Sequence, residues 1–145
     1  MYAARRAIGA YAQVGIETSV VDANPHRLIA MLFEGARAAI NLASAAMQRG
    51  EVLAKVRAFD KAISIIGQGL QASLDHQRGG EIAVQLNNLY DYMLRRLLLA
   101  NANNDLTILA EVDALLVPLQ DAWLAIGQAG QPGAAAANSH LSVVS

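Results

Sequence analysis

NPHRLIAMLFEGARAAINLASAAMQRG, residues 24–50, is the stretch whose reading decides the fold. Asn24 has the side chain of an N-cap, able to accept a backbone N–H, and Pro25 fits the first helical position, where its preset φ helps and its missing N–H costs nothing. Beyond them Leu28, Leu32, Ala36, Ala39, Ala43 and Met47 recur at the spacing of one helix face. Gly50 then offers a left-handed C-cap. The stretch predicts one long amphipathic helix with both ends marked.

The same pattern repeats downstream. Val52, Val56, Phe59, Ile63, Ile66, Leu70 and Leu74 run close to heptad spacing and predict a second helix that stops at Gly79-Gly80. A third helix is predicted from Glu81 through Ile82, Leu86, Leu89, Met93, Leu97 and Ala100, and the polar cluster from Asn101 to Asp105 supplies both its stop and the next cap. The fourth carries Leu109, Val112, Leu116, Leu119, Trp123 and Ile126 and closes near Gly127 and Gly130. Pro118 lies inside it and predicts a kink. Connections of a few residues leave no room for a crossover, so each helix must turn back on the last. The expected fold is all-α, an antiparallel four-helix bundle forming a single domain over 23–130. Residues 1–22 stand apart as a segment whose Ile8, Tyr11, Val14 and Ile16 could dock on something apolar. The tail 131–145, rich in small residues, is expected to be flexible.

Composition narrows the function. Of 145 residues, 54% are hydrophobic and 16% charged, so apolar surface should be left over after one core is built. The 11 basic and 12 acidic residues are dispersed, for a net charge of −1, and no basic stripe could neutralise a run of phosphates. A nucleic acid is not an expected partner. The chain has no cysteine, which removes disulfides, thiolate metal sites and cysteine nucleophiles. MYAARRAIGAYAQ has arginines but no long apolar stretch behind them, so it does not read as a secretory signal. Every long apolar window is broken by a charge before the roughly 18 residues of a membrane span. Neither membrane insertion nor export is expected, and a cytosolic location is the default.

Catalytic signals are weak. Gly67-Gln68-Gly69-Leu70-Gln71-Ala72 matches a G-x-G-x-x-A dinucleotide string, with Asp91 at the distance of a ribose-binding acid. That fingerprint needs a strand before it, whereas the heptad runs through these glycines unbroken. They read better as small residues that let two helices approach. His26, His76 and His140 fall on different elements without a metal-ligand spacing, and no serine sits in a G-x-S-x-G elbow. No enzyme activity, metal or cofactor is expected.

What remains is the apolar surplus. On the third helix Leu94 and Leu98 form a second stripe beside the core-facing one, and on the second helix Ala58, Ala62, Ile65 and Gly69 do the same. Adjoining stripes on neighbouring helices would make a groove for an amphipathic helix of another protein. Equally, a wide apolar face can belong to the core of a helix flanked on both sides.

Asn24-Pro25-His26 with Leu28-Ile29, Met31 through Ala36, Lys61-Ala62 with Ile65-Ile66, Gly80 through Ala83, Leu89 through Met93 and Ala100-Asn101 form an ordered set. Tyr2, Tyr11 and Ala12 precede it, and Glu111-Val112 and Ala122-Trp123 follow. In order and spacing the set resembles the flagellar secretion chaperone family, over about residues 1–127. The resemblance implies a cytosolic helical bundle that binds the disordered C-terminal segment of flagellin, prevents its premature polymerisation and passes it to the flagellar type III export apparatus. It also implies that the N-terminal segment occupies part of the client groove, with Ile8 and Tyr11 as lid residues, and it points to Ile65, Leu94 and Leu98 as groove residues. An export-apparatus component would be a further partner, and the protein a monomer or weak homodimer. A generic helical interaction or dimerisation module without a client is the alternative.

Overall fold

The computed structural model describes residues 24–129. The segment 1–22, with Ile8 and Tyr11, and the tail 131–145 lie outside the described residues. Among the described residues there are four α-helices and no strands: α1 (Pro25–Arg49), α2 (Val52–Ser64), α3 (His76–Asn103) and α4 (Leu106–Ala129), with a π-helical segment, Ile65–Gln71, continuing α2.

The helix ends follow local chemistry. Asn24 Oδ1 accepts the N–H of Arg27 at 2.8 Å, and Gly50 closes α1 with φ of 69°. Asp105 caps α4 by accepting the N–H groups of Thr107 and Ile108 at 2.9 and 3.2 Å. Asn104, with φ of 50°, turns the chain out of α3. Pro118 sits within a continuous helical span at an exposed position, where water can take the carbonyl its missing N–H leaves free.

The second connection differs from expectation. The second helix ends at Gln71 rather than at the glycine pair, and Ser73 satisfies the carbonyl of Gly69 through both its N–H, at 3.1 Å, and its hydroxyl, at 2.6 Å. Asp75 then caps a short helical turn from His76, accepting from Gln77 and Arg78, ahead of the regular helix that starts after Gly80, at the expected Glu81. Gly80, with φ of 52° and ψ of −124°, is non-helical and separates that turn from the rest of α3 at a kink.

Polar contacts fix the antiparallel register. His26 meets Trp123 while Arg37 meets Asp113, so α1 and α4 run in opposite directions. Lys55 Nζ donates to the Asn101 carbonyl and Asn104 Oδ1, while Gln71 Nε2 donates to Asp91 Oδ1 at 2.6 Å, which opposes α2 to α3. Each helix packs on its neighbours in sequence, and α4 closes the ring against α1. The core between them holds Leu32, Phe33, Ile40, Phe59, Ile66, Met93, Leu97, Leu109, Val112 and Leu116. Each large side chain buried there contributes on the order of 1.5–3 kcal/mol by leaving water. By length and composition α1 could cross a membrane; here its apolar side, from Leu28 to Ala46, faces this core.

Candidate functional site

The apolar positions of a helix stripe stay buried only while a facing helix covers them. The stripe of α3 is buried at Met93, Leu97 and Ala100 but half-buried at Leu86, and Ile82 is 54% exposed. On α4 the stripe is buried at Leu109, Val112 and Leu116, half-buried at Leu119 and Trp123, and exposed at Ile126. Both stripes run out of cover at the same end of the bundle.

The result there is an apolar groove of about 470 Å³. Ile29 and Phe33 of α1 line it, with Leu70, Ser73 and Leu74 at the end of the second helix, Ile82, Leu86 and Tyr90 of α3, and Leu119, Ala122, Trp123, Ala125 and Ile126 of α4. Four elements therefore contribute walls, and almost every lining group is hydrocarbon or aromatic. Such a surface has no means of activating a substrate; it can take up an apolar helix face. Among the described residues no cluster of His, Asp or Glu is placed to hold a metal ion.

Two polar devices hold the groove walls. At the α1 end, Trp123 Nε1–H donates to the His26 carbonyl at 2.8 Å, and His26 Nε2 donates to the Trp123 carbonyl at 2.6 Å. A carbonyl can only accept, so this nitrogen carries the proton. On the α3 side, Gln71 bridges Asp91 and Asn87, tying the π-helical segment to α3 beside Tyr90. Burial pushes the Tyr90 phenol well above its usual range, so Tyr90 acts as a neutral aromatic wall.

The residues expected to line a groove fall elsewhere. Ile65 is 1% exposed and belongs to the core, a correction to its expected surface position. Its stripe, Ala58, Ala62, Ile65 and Gly69, is buried because it is the face on which α1 rests: a Cβ on Gly69 would stand 3.0 Å from Leu32 Cδ2. The heptad read as the core face of that helix is correspondingly exposed at its start, at Val52 and Val56. Gly67 and Gly69 follow no strand, so the dinucleotide reading is removed. Leu94 lies over Gly67, half-buried, while Leu98 is 59% exposed. Neither lines the 470 Å³ groove; they follow its wall residues Leu86 and Tyr90 along α3 at i+4 steps in the sequence. Ile8 and Tyr11 lie outside the described residues. Sequence reasoning misses Ile82, Trp123 and Ile126 as groove residues, because they fall on the stripes it assigns to the core.

Comparison with known proteins adds an independent line. The model of the family described as flagellar protein FliS matches residues 7–130. The chain is 52% identical to the flagellar secretion chaperone FliS of Salmonella typhimurium over 116 residues, 80% of this chain and 86% of that protein. It is 47% identical to the flagellar secretion chaperone FliSB of Pseudomonas aeruginosa over 123 residues, 85% of this chain and 96% of that protein. It is 37% identical to the flagellar secretion chaperone FliS of Bacillus subtilis over 107 residues, 74% of this chain and 78% of that protein.

Proposed function

The chain belongs to the FliS family of flagellar secretion chaperones, and from that premise we propose that its apolar groove receives the C-terminal segment of flagellin in the cytosol. The protein is a chaperone and not an enzyme. Bound in this way, the flagellin segment is withheld from premature polymerisation until the flagellar type III export apparatus takes it over, which makes a component of that apparatus a second contact.

The observation that supports this reading is the uncovered end of the bundle, where stripes of α1, α3 and α4 meet in one groove of about 470 Å³. An export substrate must stay unfolded yet soluble. A chaperone meets both demands by covering the substrate's apolar face while each client helix folds only on contact. Ordering such a segment costs several kcal/mol, so the interface must be long. Leu94 and Leu98 would lengthen it, carrying the client along α3 beyond Tyr90. Ile8 and Tyr11 would compete with the client for the groove as a displaceable lid.

The test is titration of the full chain with a peptide spanning the C-terminal helices of flagellin, followed by calorimetry and far-UV circular dichroism. Binding heat with a gain of helix, abolished by Ile82→Asp or Ile126→Asp and weakened by Leu98→Asp, is expected. Absence of both heat and helix gain would leave a helical interaction module without this client.

A further inference from the structure

At the other end of α1 a second concavity, of about 280 Å³, lies between the last turns of α1 and the first turns of α2. Its floor is apolar and low, with Leu42, Ala45 and Ala54 among its residues, and three cations, Arg49, Arg57 and Lys61, stand around it against a single carboxylate, Glu51. Among the described residues none of these cations forms an ion pair, whereas Arg37, Arg78 and Arg96 each do. Large apolar side chains are exposed on the same hairpin, Leu42 at 57% and Leu53 at 64%. Here an apolar floor and an uncompensated positive rim occur together, and each carries a cost that one kind of partner would remove.

We propose that this face of the α1–α2 hairpin is a second docking surface, and that it takes an acidic amphipathic helix of another protein. The alanine floor admits close approach of a helix, while Arg57 and Lys61, at i and i+4 on α2, present their charges in a row along one edge. Carboxylates flanking the apolar stripe of an incoming helix would meet that row and Arg49. The flanking segments of this sequence lack the acidic charge such a helix needs. Residues 1–23 hold two arginines against Glu17 and Asp22, and residues 130–145 contain no Asp or Glu. A concave floor also suits a helix better than a flat bilayer. The two surfaces are separate, since Phe33 and Ala46 are on the order of 20 Å apart along α1 at a rise of about 1.5 Å per residue.

The probe is a synthetic amphipathic peptide with leucines at i, i+3, i+4 and i+7 and glutamates on both flanks, titrated into the full chain and followed by amide NMR. Shifts at Leu42, Ala45, Ala54 and Arg57 are expected, with affinity weakened at least about tenfold in the Arg49→Glu/Arg57→Glu double variant. Both arginines are exposed, so the variant should stay folded, with a loss of no more than about 1 kcal/mol from reversing the charge in the last turn of α1. The proposal is overturned if the spectrum does not change, if a peptide with lysines in place of the glutamates binds equally well, or if the shifts gather around Trp123. It is equally overturned if vesicles containing phosphatidylglycerol compete for these residues, which would make the face a membrane contact. Concentration-dependent dimerisation lost in the double variant would assign it instead to a second copy of this chain.

Discussion

The rings of His26 and Trp123 lie stacked, 7° from parallel with centroids 4.9 Å apart, and each residue also hydrogen-bonds to the other's backbone carbonyl. The pair fastens the first turn of α1 to the last turns of α4, and so fixes one wall of the groove. Replacing His26 by Ala removes the stack and the Nε2 bond and is expected to cost about 1–2 kcal/mol in chemical denaturation. His26→Phe, which keeps an aromatic face, should recover part of that loss. Trp123 is the single tryptophan of the chain, so its emission reports directly on the groove and should shift to the red in His26→Ala.

Gly127 completes this clasp by leaving space for the imidazole, since a Cβ built on it would collide with the His26 ring. Gly127→Ala normally favours a helix by about 1 kcal/mol. Here the ring must move off Trp123, and the expected sign is reversed. Thermal melting and tryptophan emission of Gly127→Ala should therefore resemble those of His26→Ala, and a stabilised variant with unchanged emission would contradict the clasp.

How far the sequence carried this picture depended on whether a residue's fate was decided locally. Asn24, Pro25 and Gly50 act within a turn of themselves, so α1 was legible to its ends; Asp105 was legible for the same reason. The second helix is buried over a wider face than its heptad describes: Phe59, Ile66 and Leu70 lie in the core as the heptad requires, and only its start, at Val52 and Val56, is exposed. The closest approach there is made by small residues, Ala58, Ala62 and Gly69, which admit α1 and take Ile65 inside with them. A π-helical turn also inserts an extra residue per turn and shifts the phase of whatever follows, and no residue type announces it. The position of the groove is not legible in the sequence, because Ile82, Leu86, Trp123 and Ile126 have the spacing of core residues. Only the packing of four helices determines at which end the cover fails.

A polar triad on the α3–α4 side makes stability depend on pH. Tyr92 donates to Glu111 Oε2 at 2.5 Å and Arg96 Nε to Oε1 at 2.8 Å, and these two donors hold the Glu111 carboxyl below its usual range. A carboxylate depressed on folding adds stability that is complete above its unfolded pKa and is lost as pH falls through the folded one. The melting temperature should therefore decline on acidification below about 4.5, the ordinary value for glutamate. In Glu111→Gln that part of the decline should be absent. The triad lies at the surface, so the difference should also shrink in high salt.

Ile65 and Leu98 are both large and apolar, and the family resemblance points to both as residues of one groove. The structure separates them, with Ile65 in the core and Leu98 open to solvent. Ile65→Ala removes buried methyl and methylene groups from a packed site and should cost about 2–4 kcal/mol in denaturant unfolding. Leu98→Ala should change stability by no more than about 0.5 kcal/mol, as is usual for an exposed position. The same contrast sets what a binding assay can mean. Loss of flagellin-peptide binding in an Ile65 variant would follow from a loosened bundle, whereas loss in Leu98→Ala with an unchanged melting curve would require direct contact. If Ile65→Ala and Leu98→Ala melted alike, the assignment of one to the core and the other to the surface would have to be given up.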